Sequence, residues 1–405
     1  MSQNQTPWHG FFNPDDPALW TQGSDVDWIY GDYIHDMMKS GQLQHTPPWL
    51  VREERSALKL IRDNHDTVLA IMGALMTWRV ATISQLQAGL APGADAPDLY
   101  RDIPGIYGAM LRMGLIDMGF SPRERLEDIQ GPQVWLALGK KSKLVRNITN
   151  ILKDQITGTD QWINSTLFSG RGFYTRRHAR HNTFAAHTAL AAIRQPQTAL
   201  VTGDGWGAFR RIDQHACDAA NLTGLSAADV VILTRKHTTC CLEVQAAGFD
   251  TTEKLENWMN FLAASPMSRR GLLCVWLTIP NTTGTQPNLT GNLTKAASTP
   301  TAAIGQPSVG QRVGTARWDQ WFDADGRPTK DWGYYTDLFG ERRNIATGWE
   351  TTTPPHWGDP ALVGDWGWDQ VRGMIGREWG LDASTWRMPD HLRGGFHGFL
   401  EGVGR

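Results

Sequence analysis

The stretch from Ala227 to Ile279 constrains the fold most tightly, because it sets three apolar runs and one amphipathic run in close succession. Ala227-Ala228-Asp229-Val230-Val231-Ile232-Leu233 and Thr239-Cys240-Cys241-Leu242-Glu243-Val244-Gln245-Ala246 each read as a buried strand carrying one carboxylate. An acid is costly in an apolar strand unless something pairs with or coordinates it. The plain alternative is an acid at the solvent end of a strand. Thr251 to Ser265 places Leu255, Trp258, Met259 and Leu262 at helical spacing, and Gly271 to Ile279 is again a strand run. Upstream, Arg180 to Arg194 carries Phe184, Ala185, His187, Thr188, Leu190 and Ala191 on a helical pattern, and Gln197 to Gly203 reads as a strand. The expected order is helix, strand, one or two more strands, helix, strand.

That order, with Asp229 on one strand and Glu243-Val244-Gln245 on the next, resembles the restriction-endonuclease-like superfamily, the PD-(D/E)XK fold. The resemblance implies that Asp229 is the first acid, Glu243 the second, and Gln245 the residue standing where a Lys is usual. Ala228 takes the place of the name-giving Pro. Alternation puts Glu243 and Gln245 on one strand face, where Asp229 can meet them from its neighbour. Two such carboxylates can hold Mg²⁺ or Mn²⁺ through hard oxygen ligands, and Gln245 can orient a water. It cannot bring the positive charge of a Lys to a developing oxyanion. Lys254, on the following helix, can supply that charge from another backbone position; its alternative is a solvated helix face. His178, His181 and His187 fall just before or on the first helix, where metal coordination or a phosphate contact competes with capping or core packing.

The whole chain, with 39 Lys plus Arg against 41 Asp plus Glu in 405 residues, shows no bias toward a polyanion. The distribution does. From Lys140 to Arg211 there are twelve basic residues against three acids, and Arg176-Arg177-His178-Ala179-Arg180-His181 is the densest knot. Clustered Lys and Arg are what counterion release from a phosphate backbone requires. A solvated basic linker is the alternative. The four cysteines (Cys217, Cys240, Cys241, Cys274) form no C-x-x-C pair and look like core residues of a reduced cytoplasmic protein. No apolar run approaches a membrane span, and no Walker motif, GxGxxG turn or Gly-x-Ser-x-Gly elbow occurs.

A second module lies upstream. Asp66 to Trp78, Thr82 to Gly89 and Asp102 to Gly114 read as helices, and Leu115 to Phe120 and Gln133 to Leu138 as a hairpin around a charged loop. Three helices and a β-ribbon resemble a winged helix-turn-helix. The resemblance implies that the third helix enters the major groove and the wing touches phosphate. Tyr107 and Arg112 are then the candidates to reach bases or backbone, with Arg101 near the helix start and Arg123 and Arg125 on the wing. A dimerisation role for this module remains open.

The expected class is α+β and multidomain. Residues 1–50 read as a Trp-containing arm, 53–139 as the winged helix, 140–177 as a basic connector, 178–280 as the endonuclease-like core, 281–314 as a flexible linker, and 315–405 as a Trp-rich region. The last segment holds nine tryptophans. They can stack on single-stranded bases, meet a partner subunit, or form a small core of their own.

A winged helix, a basic connector and a PD-(D/E)XK-like domain in this order resemble the replication-relaxation family of plasmids, phages and integrative elements, and similarly the MOBC relaxases. The match runs over roughly Glu53 to Pro280. It implies a mobile-element protein that binds a specific site on double-stranded DNA, with single-stranded DNA and a homodimer as further expectations. Asp229 and Glu243 would bind the metal. Lys140, Lys141, Lys143, Arg176, Arg177, Arg180 and His181 would hold the backbone for phosphodiester cleavage. One rival is a core that has lost cleavage and serves as a replication or copy-number regulator; another is an assembly protein using its Trp-rich ends.

Overall fold

The computed structural model describes residues 26–42, 50–51, 53–64, 67–68, 71–72, 75, 78–83, 85–86, 103–120, 134–139, 178–193, 195–203, 209–222, 228–234, 236, 238–246, 252–264, 271–279, 307–324 and 326–349. These build a mixed α+β protein with two sheets. No helix among them is long and apolar enough to cross a membrane.

The first sheet has four strands in the order β1 (Asp27–Ile29), β3 (Ile116–Phe120), β4 (Trp135–Leu138), β2 (Val80–Thr82), all neighbours antiparallel. Val68, Ile71, Met72, Leu75 and Trp78 are helical and buried, which is the one-sided apolar spacing of a helix laid on a core. The next helical start, at Ile83, is closed by a reciprocal cap. The Gln85 N–H donates to Thr82 Oγ1 at 3.1 Å, and the Thr82 N–H donates to Gln85 Oε1 at 3.0 Å.

The expected arm corrects to structure. Within 1–50, β1 pairs with β3, and α1 (Gly31–Lys39) packs on α3 (Gly108–Arg112), which continues a π-helical turn at Ile103–Tyr107. A side chain on Gly31 would overlap the Ile116 carbonyl, so only glycine permits this approach. α2 (Glu54–Asp63) covers α3 as well. Every residue of α3 is consequently buried.

The second sheet has seven strands. Its first half follows the expected order. It runs α4 (Ala179–Ile193), β5 (Thr198–Gly203), two short helices α5 (Phe209–Ile212) and α6 (Gln214–Ala219), β6 (Val230–Thr234), β7 (Thr239–Gln245), α7 (Thr252–Ala264) and β8 (Leu272–Thr278). β5, β6 and β7 are antiparallel, and β8 lies parallel to β7, as a strand reached through a crossover helix can.

The sheet does not stop at residue 280. β9 (Val313–Arg317), entered after a helical turn α8 (Pro307–Gly310), extends it parallel to β8. A turn α9 (Trp318–Trp321) and the antiparallel strands β10 (Tyr334–Asp337) and β11 (Arg342–Asn344) follow. The end of the expected linker, from 307, therefore belongs to this fold.

Trp318, Trp321 and Trp332 are buried here and serve as core, so they are not free to stack on bases. Trp318 meets Phe184 of α4 edge-on at 4.5 Å and stacks on Phe322 at 4.1 Å, while His187 Nε2 lies 2.7 Å from the Gly326 carbonyl oxygen. His187 is thus a packing residue. Trp357, Trp366, Trp368, Trp379 and Trp386 lie outside the described residues.

Candidate functional site

Four ionisable residues far apart in sequence meet where β6 begins and β7 ends. The β6–β7 register pairs Val230 with Leu242, so one residue further Asp229 stands opposite Glu243. Asp229 is tied into the ladder: its N–H donates to the Leu242 carbonyl at 2.9 Å, and its Oδ2 accepts the Val244 N–H at 2.7 Å. Its other oxygen lies 3.0 Å from Nε2 of His181, on the first turn of α4.

Glu243 is 1% exposed, and α7 meets it. Trp258 Nε1 donates to Oε1 at 2.5 Å, and Lys254 Nζ donates to Oε2. Lys254 and Trp258 stand one helical turn apart and so reach the same strand residue together. Lys254, expected on a solvated face, stays partly exposed but is also tied to Glu243. Trp258 read as core alone; its indole N–H is part of the centre.

Burial drives the electrostatics, and the neighbours decide their sign. For Glu243, burial is the largest influence and pushes its carboxyl up to about 8, with Asp229 adding to the rise and Lys254 and Trp258 opposing it. Burial acts upward on Asp229 too, but His181 and Lys254 prevail and hold it well below the usual carboxylate range. For Lys254, burial pulls the ammonium down, and Glu243 and Asp229 outweigh it, so it stays a firm cation. His181 is raised in the same way, Asp229 overcoming the effect of burial. Desolvation sets the cost, and opposite charge offsets it.

A divalent cation does not fit these residues as they are placed. Both Glu243 oxygens face donors, both Asp229 oxygens are engaged, and two carboxylates are matched by two basic side chains. A hard cation needs oxygen ligands with negative charge to spare. Among the described residues no group of three or more His, Cys, Asp or Glu is arranged to hold a metal ion. The thiols of Cys240, Cys241 and Cys274 are buried and pushed upward by that burial, as inert core residues are.

Gln245 follows on the Glu243 face of β7 and is buried. Arg180 is buried too, its guanidinium donating to the Ala246 carbonyl, which leaves it bracing the end of β7 rather than facing solvent. His181 is 28% exposed, Lys254 35% and Asp229 12%, so the cations form the open rim and the acids the floor.

Beside the first sheet, Tyr107 is buried and Arg112 is 4% exposed. Arg112 Nη1 donates to His35 Nδ1 at 2.9 Å, and burial lowers its guanidinium despite Glu54 nearby. As placed, both are packed inside the protein: α1 and α2 lie against α3, and α2 lies against the turn that carries Tyr107. Arg101, Arg123, Arg125, Lys140, Lys141, Lys143, Arg176 and Arg177 lie outside the described residues.

Comparison with family models, with curated proteins and with solved structures finds no match to this chain.

Proposed function

We propose that this is a DNA-binding protein of a mobile element, acting as a replication or transfer regulator, with an endonuclease-like core that binds the phosphate backbone rather than cutting it with a metal. One observation carries the preference for binding over cleavage: His181, Asp229, Glu243 and Lys254 converge with each acid closed by a basic side chain. Convergence of perturbed groups from separate elements favours a functional site over incidental surface charge. The basic excess between Lys140 and Arg211 supports a polyanionic partner. The order β2-β4-β3, in which the hairpin β3–β4 takes a strand that follows a helix, supports the winged-helix likeness.

A second reading, metal-dependent phosphodiester cleavage, is favoured by Lys254, which brings to Glu243 the positive charge that Gln245 lacks. It requires Lys254 to release Glu243 first. Plasmid and oligonucleotide assays with Mg²⁺, Mn²⁺ or a chelator, at two salt concentrations and beside Glu243→Ala, separate the readings. Salt-sensitive binding without cleavage is expected. Cleavage lost in Glu243→Ala while binding survives would establish the second reading, and the absence of both would remove DNA as the partner.

A further inference from the structure

We propose that the Lys254 ammonium, seconded by His181, occupies the place a divalent cation would take between the paired carboxylates, so that the centre receives a phosphodiester directly and without metal. This rests on the reading of the core as a phosphate-binding endonuclease-like fold, and it assigns the contact to particular atoms.

The geometry argues for it in three ways. Lys254 Nζ sits on one Glu243 oxygen, and Trp258 Nε1 holds the other at 2.5 Å, so neither oxygen is without a protein donor. Asp229 gives its Oδ2 to the β7 backbone and its Oδ1 to His181, so each of its oxygens also has a protein donor. The pairing then counts against a cation site. Two acids each faced by a basic side chain are not the electron-rich pocket that hard cations select.

Exposure points the same way. The groups that face outward are the two cationic ones, Lys254 at 35% and His181 at 28%, above a Glu243 that is 1% exposed. A phosphodiester oxygen approaching this rim meets N–H donors first. Lys254 is held upright by the acid beneath it, much as a second carboxylate would orient a metal ligand. Both cations also sit on the opening turn of their helices, so their backbone anchors are fixed by α4 and α7 rather than by loops.

Manganese alone is the probe, followed through the loss of its free aqueous electron paramagnetic resonance signal on titration with the full chain. The wild type and Glu243→Gln should bind Mn²⁺ equally weakly, because the acid is not available in either. Lys254→Gln keeps a donor for Glu243 but removes the charge, and Mn²⁺ affinity should rise by about tenfold or more. The double variant Lys254→Gln/Glu243→Gln should cancel that gain.

Wild-type binding that Glu243→Gln abolishes would overturn the proposal. So would an affinity unchanged in Lys254→Gln, or a gain that survives in the double variant. Should Lys254→Gln fail to fold, judged by circular dichroism, the comparison of wild type with Glu243→Gln still decides, since only a working metal site distinguishes them. None of these titrations contains DNA. A failure here therefore leaves the DNA-binding reading standing, and failure of that reading would show separately as salt-insensitive or absent oligonucleotide binding.

Discussion

Two regions of the larger sheet bury carboxylates, and they satisfy them by opposite means. At the β10–β11 end, Asp337 Oδ1 accepts the N–H groups of Phe339 and Glu341 at 2.9 Å each, and Oδ2 accepts Arg343 Nε at 2.5 Å. All three partners come from the next few residues, so the acid is the clasp of its own hairpin. At the β6–β7 end, Asp229 and Glu243 draw on Val244, His181, Lys254 and Trp258, which lie on a strand and two helices. A local clasp can be satisfied by one turn of chain. A centre gathered from four elements forms only when the whole sheet does, and its mixture of held acids and open cations serves no turn. The contrast teaches that burial of an acid says little until its partners are placed.

The largest expected effect tests whether the central acids are the more demanding. Lys254→Met leaves Glu243 buried with no countercharge, and stability at pH 9 should fall by about 3–5 kcal/mol. At pH 5 the loss should shrink, because the carboxyl can take up a proton instead. Urea denaturation at both values measures it, and an equal loss at both would break the comparison. Asp337→Ala should cost about 2 kcal/mol, through stranded N–H donors, with DNA binding unchanged. An effect on binding would show that the hairpin is not merely a clasp.

The third test is one of slope. The folded Glu243 carboxyl keeps its proton up to about 8, whereas the ordinary value is 4.5. Between these values the native state binds more protons than the unfolded one, so this group's contribution to stability declines as pH rises across that window. Glu243→Gln should remove that part of the slope in a pH series of thermal or urea unfolding curves. Asp229 has the opposite sign: its lowered carboxyl lends stability that is present above its ordinary value of 3.8 and lost as acid drives the pH further down. The smallest effect lies outside both regions. Thr82→Ala, which opens the cap on Gln85, should cost about 1 kcal/mol.

Much of the second sheet's first half was legible because its residues obey simple periods. α4, β5, β6, β7, α7 and β8 fall where apolar runs and helical spacing place them, and β3 and β4 likewise. What escaped was set by partners distant in sequence. Tyr107 and Arg112 read as candidates to reach DNA because nothing near them announces that α1 and α2 will pack against the helical run that carries them. β9 begins inside a Thr-, Gly- and Ala-rich stretch whose composition resembles a linker, and it becomes a strand by pairing with β8.

At the candidate site the two acids were visible as charges in apolar strands, but their cations were not assigned to them. A signal existed for Lys254: it precedes Trp258 by one helical turn, and Leu255, Trp258 and Leu262 are buried, so its side chain borders the packed face. His181 offered no comparable clue, since its partner Asp229 is brought to it only by the antiparallel return of β6.

Gln85 has a consequence for mechanics. Besides closing the cap with Thr82, it donates through Nε2 to the Thr183 carbonyl of α4 at 2.8 Å, two residues along the helix from His181. One amide thus ties the start of a helix on the smaller sheet to the helix that carries half of the ionic centre, and it does so in a buried setting where a lost bond is dear. The two sheets cannot pivot about this point without uncapping one helix and stripping a carbonyl on the other. The two sheets should therefore move as one block here, and a partner must adapt to their fixed relation rather than open a hinge between them.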